Sequence, residues 1–314
     1  MTNYPMTNQY RSPNEQTTAS PSRTAFRHSS FGIPSSLVIT SLVILAAAVA
    51  AGEPMLKEIG TITHPAIREA SGLVASRTQR GVLWTINDSG NVPHLFAIDR
   101  TGRLLAEFRV RGATNIDWES LAIDDRGHLY IGDVGNNTTS LFPSGLPVRS
   151  VWRVREPQVK AGGGGPGKSG AIAEVTPDQV YHYRFPDKPF DVEGMFEHGG
   201  SIYLFSKVRT SPAALYRLAL DRPNDATKLV EVCKLPGLPL ITGADISPDG
   251  RRLAICGYTY AVWVDLAEGQ TLEDLPRLQQ RAAKYRSDDI EACAWDGDDL
   301  IVVGERRGMY LLRW

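Results

Sequence analysis

Cysteine is scarce in this chain of 314 residues: Cys233, Cys256 and Cys293 are all there are, and none stands in a C-x-x-C pair. An odd, widely spaced set excludes both a disulfide framework and a zinc ribbon. Histidine is nearly as rare. His64, His94, His128, His182 and His198 show neither H-x-H nor H-E-x-x-H spacing, which removes the usual zinc sites. A G-x-S-x-G elbow is missing, so an ordinary serine hydrolase is not indicated. Excess charge of either sign is missing too, since 34 Lys and Arg against 35 Asp and Glu leave a net charge of -1. No overall basic field exists to hold nucleic acid.

What is present is enough to fold. Hydrophobic residues make up 42% of the chain and charged residues 22%, a balance that can bury a core. The 29 glycines and 20 prolines exceed ordinary usage and point to many turns between short strands.

The first fifty residues read as an address. Residues 1–32 set Arg11, Arg23 and Arg27 against a single acid, Glu15, and residues 33–51 then run without a charge. Ala48-Val49-Ala50 supplies a small-x-small cleavage site, as in a secretory signal; uncleaved, the same stretch is a signal anchor. The expected organisation is a leader over 1–51 and a folded domain over 52–314. Its expected place is extracytoplasmic: periplasmic, secreted, or anchored by residues 33–51, with membrane contact only through that segment.

Beyond the leader the chain repeats. Five segments, starting at Glu69, Asp117, Asp191, Ile241 and Asp289, share one plan: a polar start, an apolar strand, a turn of D-R-G, H-G-G, P-D-G or D-G-D type, and a second apolar strand. Third strands follow at His94–Asp99, Val151–Arg155, Ala214–Leu220, Ala261–Leu266 and Met309–Trp314, and fourth strands at Leu104–Val110, Gln179–Phe185 and Lys228–Lys234. Repeated four-stranded units predict an all-β fold, a β-propeller of five blades, because radial stacking covers both apolar faces of each sheet. The last repeat lacks a fourth strand, and Met55–Thr63 is predicted to supply it from the N-terminal side. Two inserts interrupt the pattern, Glu156–Pro177 and Glu268–Tyr285, the latter reading as a short helix. A sixth, degenerate blade within an insert is one alternative, and a β-sandwich is the other.

Gly162–Ser169 satisfies the G-x-x-x-x-G-K-[ST] pattern of a phosphate-cradling loop. It follows no buried strand and meets a proline before two helical turns, so it reads as a surface loop and no nucleotide is expected.

Carboxylates are the chemistry-bearing residues. Three repeats begin D-x-E: Asp117 and Glu119, Asp191 and Glu193, Asp289 and Glu291. The first repeat offers Glu69 with Ser71, and the fourth only Thr242. Inner strands of a propeller line its channel, so their starts converge on one mouth. The second strands end at the same mouth. They add D-x-G-N at Asp88 to Asn91 and at Asp133 to Asn136, then Lys207 with Arg209, Tyr258, and Glu305 with Arg306. Crowded carboxylates raise one another's pKa or bind a cation. Oxygen donors without His or Cys select hard ions, calcium first outside the cytoplasm. A single D-x-E is explained as well by turn capping. Tryptophans read as packing between blades, with Trp118 the one that stands beside the acids. Cys256 and Cys293 read as buried thiols on inner strands of neighbouring units, in a compartment that also permits a disulfide.

These residues carry a resemblance. E-x-S-G-L at Glu69–Leu73, W-T-I-N-D-S-G-N at Trp84–Asn91 and D-x-E-S-L at Asp117–Leu121 resemble the SdiA-regulated propeller family. D-V-E-G at Asp191–Gly194 followed by I-Y-L-F-S-K is similar to the phytase-like propellers. The resemblance spans most of residues 60–314. It implies calcium ligands at Asp117, Glu119, Asp191, Glu193, Asp289 and Glu291, and phosphate contacts at Lys207 and Arg209. Thr242, where an acid would help, and the few clear candidates on the basic side depart from the phytase pattern.

The functional expectation is a binding or scaffold propeller that holds calcium or a small polar or anionic ligand in its acidic mouth. Asp88, Asn91, Asp133, Asn136, Lys207, Arg209 and Glu305 are the ligand-contacting candidates. One alternative is a metal-assisted phosphate- or carboxyl-ester hydrolase with Glu119 or Glu193 as base. The other is a propeller with a structural acidic ring that binds an extracytoplasmic protein.

Overall fold

The computed structural model describes residues 55–136, 148–160, 172–210, 212–223, 225–285 and 290–313. The charge-free segment 33–51, the loop Gly162–Ser169 and Asp289 lie outside the described residues.

The chain enters through β1 (Met55–Thr61), which belongs to the last blade. Blade one follows with β2 (Ala70–Ala75), β3 (Leu83–Asn87), β4 (His94–Ile98) and β5 (Leu104–Val110). Blade two comprises β6 (Trp118–Ile123), β7 (His128–Asp133) and β8 (Arg149–Arg155); after β9 (Ala173–Val175), β10 (Pro177–Arg184) completes it. Blade three contains β11 (Asp191–His198), β12 (Ser201–Lys207) and β13 (Ala213–Ala219); after β14 (Thr227–Lys228), β15 (Val230–Leu235) completes it. Blade four is β16 (Ile241–Ile246), β17 (Arg252–Gly257), β18 (Tyr260–Asp265) and β19 (Gln280–Lys284). Blade five is β20 (Ile290–Asp296), β21 (Asp299–Gly304) and β22 (Gly308–Arg313), with β1 outside. The short β9 and β14 each return to the preceding blade and pair parallel with its outer strand. Five sheets are present and no sixth is seen among the described residues.

Burial explains why the sheets stack in a ring. The strands β2, β3, β4, β6 and β16 are buried at every position, hence on both faces, which a half-solvated sandwich sheet would not show. Five apolar clusters fill the five junctions between blades. Trp84 and Trp118 lie between blades one and two, Tyr130 and Met195 between two and three, and Phe196 and Ile241 between three and four. Cys256 and Trp295 lie between four and five, and Leu73 and Ile301 between five and one. Trp118 is thus a core residue, fully buried. Tight turns join the inner hairpins, and the D-R-G and P-D-G turns place Gly127 (φ 77°) and Gly250 (φ 69°) where a side chain would be strained.

Two expectations are corrected. The insert Glu268–Tyr285 holds only a 3-10 turn at Leu272–Arg277, with Pro276 inside it, and then β19, the fourth strand of blade four. Four of the five β19 residues are exposed, so no apolar alternation marked it as a strand. Cys256 lies on β17, a second strand, while Cys293 is on the inner β20; both are buried and both are free thiols.

The ring closes where β1 pairs antiparallel with β22, from Met55↔Arg313 to Thr61↔Gly308. Deleting residues 55–61 uncovers that edge and removes six paired positions. At roughly 0.5–1.5 kcal/mol net per hydrogen bond, the truncated domain is expected to lose at least about 3 kcal/mol. Urea unfolding of the two forms measures this, with an unchanged midpoint as the contrary result.

Candidate functional site

Every inner strand breaks its pairing near its start, at the equivalent residue in blades two to five and one residue later in blade one. The register against the second strand shifts between Ser71 and Leu73, Trp118 and Ser120, Val192 and Gly194, Ile241 and Gly243, and Ile290 and Ala292. The residue skipped is Glu119, Glu193, Thr242 or Glu291, and Gly72 in blade one. A bulge of this kind leaves the extra residue out of the ladder and re-aims its side chain. Where serine or threonine stands in place of the glutamate of D-x-E, its hydroxyl ties the inner strand to the next blade. Ser71 Oγ donates to the Glu119 carbonyl at 2.6 Å, and Thr242 Oγ1 to that of Ile290 at 2.7 Å.

The re-aimed acids meet in one cavity of about 290 Å3, lined by Glu69, Ala70, Ser71, Asp88, Glu119, Glu193, Lys207, Tyr258, Glu291 and Glu305. Six carboxylates face one ammonium. Asp88, Asp117 and Glu119 form the tightest group, with one carboxylate oxygen from each lying within 4.8 Å of the other two. Asp117 and Glu119 are almost fully buried, and Asp88 is half-buried.

The surrounding backbone holds this group in place. Asp133 Oδ1 accepts the Asp117 amide at 2.7 Å, and the Asp117 carbonyl accepts the amides of Val134 and Gly135 at 3.1 Å each. A Cβ at Gly135 would stand 2.6 Å from Asp117 Cγ and 2.8 Å from Glu119 Cγ. Only glycine lets both side chains pack against this turn. Asn115 Nδ2 fixes the neighbouring end through the Asp88 carbonyl at 2.7 Å, a contact no sequence motif announced.

The other sequence-derived candidates divide by position. Asp133 and Asn136 stand behind the acids rather than lining the cavity: the Asn136 amide donates to Asp191 Oδ1 at 3.0 Å, and buried Arg149 donates to Asn136 Oδ1 at 2.8 Å. Asn91 Nδ2 donates to Glu69 Oε2 at 2.9 Å. Glu291 and Glu305 line the cavity, while Arg209 is exposed and outside its lining. Strand pairing also revises one alignment. Asn87 and Asp133 are the equivalent residues, paired with Ala70 and Trp118, so the two D-x-G-N signatures are offset by one. Asp88, Val134, Lys207, Tyr258 and Glu305 occupy the same place in successive blades.

Electrostatics at the mouth are strained. Burial, and then repulsion from Glu193, Asp88, Asp117 and Asp191, pushes the Glu119 carboxyl well above its ordinary range. Burial lifts Asp133 to about 6. Glu193 rises to about 8 through burial, which outweighs its ion pair with Lys207. Burial works against the Lys207 ammonium, yet Glu193 and the Tyr258 hydroxyl hold it above its usual range. At the far end of the channel the Arg77 side chain crosses from blade one to blade four, donating to the Ile246 carbonyl at 2.9 Å. The cavity of about 580 Å3 there mixes Arg77 and Arg126 with Asp125 and Glu197. Among the described residues that far cavity is mixed in charge, whereas the mouth sets six carboxylates against one ammonium.

With no cation bound, the folded state holds protons on Glu119, Glu193 and Asp133 that the unfolded chain releases. Stability contributed by such groups is complete below the unfolded carboxylate pKa, 4.5 for glutamate, and is lost as pH rises through about 8. Thermal unfolding in chelator is expected to show a midpoint that falls steadily across that window. A midpoint that rises would contradict the charge assignment. Gly135→Ala forces the Asp117 and Glu119 side chains to shift and is expected to cost about 1–3 kcal/mol of stability, as overpacking does; urea unfolding reads it, with an unchanged midpoint as the contrary result.

No protein-family model matches the sequence, and no curated protein matches it. Among solved structures the chain is similar to the major Malassezia sympodialis allergen Mala s 1, with a TM-score of 0.52 and 11% identity over 84% of this chain and 97% of that one. A catalytically inactive virginiamycin B lyase from Staphylococcus aureus, solved with quinupristin, aligns at a TM-score of 0.40 and 10% identity over 78% of this chain and 66% of that one. At such identities the likeness to the allergen is one of fold alone.

Proposed function

We propose that the protein is an extracytoplasmic binding module that holds a divalent cation, calcium by its donor set, in the acidic mouth of the propeller. The observation that carries this reading is the Asp88, Asp117 and Glu119 group, three carboxylates from two blades held within 4.8 Å. Acids so close and so buried demand a proton or a cation. Every donor is oxygen, and no histidine or cysteine lines the cavity, which favours a hard ion over zinc. The Gly135 turn shapes the seat, since any side chain there would displace two of the ligands. The resemblance to SdiA-regulated and phytase-like propellers supports the same reading, and the charge-free segment 33–51 supports a destination where calcium is abundant. The remaining space suits a small polar or anionic ligand placed between the ion and Lys207.

A second reading rests on Glu193, whose Oε2 is buried with no hydrogen-bond partner among the described residues. In a calcium-assisted phosphate- or carboxyl-ester hydrolase, the ion would polarise the scissile group. Glu119 would then serve as a ligand, leaving Glu193 to take a proton from water as general base.

For a ligand bound only by the folded state at about a hundred times its Kd, stabilisation is about 2.7 kcal/mol. Millimolar calcium is therefore expected to raise the unfolding midpoint over chelator by about 5–10 °C. Asp117→Asn combined with Glu119→Gln is expected to abolish the rise and to raise the midpoint in chelator, because repulsion is relieved. An unchanged wild-type midpoint in calcium would overturn the metal reading. Hydrolysis of a generic phosphate ester that Glu193→Gln abolishes would favour the enzyme, and absence of turnover the binding module.

A further inference from the structure

The mouth presents one position five times, and two blades fill it with opposite charge. Blade one places Asp88 one residue beyond the Asn87–Ala70 pair, and blade three places Lys207 one beyond the Ser206–Val192 pair. Asp88 completes a group of three carboxylates with blade two. Lys207 donates instead to Glu193 of its own blade and, at 2.8 Å, to the Tyr258 hydroxyl of the next. The Lys207 side chain is 13% exposed and that of Glu193 7%, so this ammonium is enclosed, unlike a solvated surface charge. Glu193 lines the cavity together with Glu291. Its Oε2 is buried and has no hydrogen-bond partner among the described residues, so half of its acceptor capacity is unspent by the lysine.

We infer that Lys207 is a built-in cation that occupies the Glu193 side of the ring, so that the mouth accepts one divalent ion and not two. This rests on the reading that Asp88, Asp117 and Glu119 hold such an ion. An ammonium is a compact point charge with three donors, and at this depth it repels any second cation strongly. Taking it away leaves Glu193 buried and uncompensated, with Glu291 beside it in the same wall. At millimolar calcium a hard divalent ion then competes with a proton for that place.

Equilibrium dialysis of the purified full chain against radioactive calcium tests this. The wild type is expected to bind one ion and Lys207→Met two, and the variant is expected to show the larger calcium-induced rise in unfolding midpoint. The double variant Glu193→Gln with Lys207→Met removes both charges. It is expected to fold without calcium and to bind one ion, which assigns the second ion of Lys207→Met to Glu193; should Lys207→Met fail to fold, the count of two is expected of Lys207→Gln. A wild-type count of two, a single variant that stays at one, or a double variant that binds none or two would overturn the role of Lys207. A wild-type count of zero would instead bring down the metal reading on which it rests.

Discussion

Each inner strand skips one residue of its pairing at its channel-facing start, and that irregularity decides which side chains reach the mouth. A regular strand would alternate its residues between the two interblade faces, where both sides are apolar and closely packed. The bulge lifts Glu119, Glu193 and Glu291 out of that alternation. Radial stacking then brings acids that lie far apart in sequence into one space. The five apolar junctions supply the rigidity that keeps them together against their repulsion. Packing at the rim and chemistry at the axis are therefore parts of one mechanical arrangement.

The ring is not symmetric in charge, and its asymmetry divides the labour. On the side of blades one and two, Asp88, Asp117 and Glu119 crowd together. On the side of blades three and four, Lys207 and Tyr258 meet Glu193. Ser71 and Thr242 contribute no charge and serve as hydroxyl ties to the neighbouring inner strand. Their role explains why two of the five repeats lack the acid: those positions hold the blades together.

Much of this was legible in the sequence because propeller blades repeat their grammar locally. Turn chemistry such as the D-R-G at Asp125–Gly127 and the apolar runs flanking it mark the inner hairpins. The missing last strand pointed to β1, which pairs with β22. Outer strands were harder. Gln280–Lys284 is exposed except at Ala283 and carries no period-two signal. Second-strand ends were misaligned by one because D-x-G-N repeats as letters, while the ladder counts Asn87 with Asp133. Support from Asn115 and Arg149, and the Arg77 contact across the channel, depend on tertiary distance and leave no local pattern.

The cation proposed here would sit among three acids that two neighbouring blades bring together. Anomalous diffraction from crystals grown with calcium addresses it most directly. The account predicts a calcium peak bounded by Asp88, Asp117 and Glu119, with oxygen ligands at about 2.3–2.6 Å. A map in which these carboxylates hydrogen-bond to one another through shared protons, with no peak between them, would contradict it.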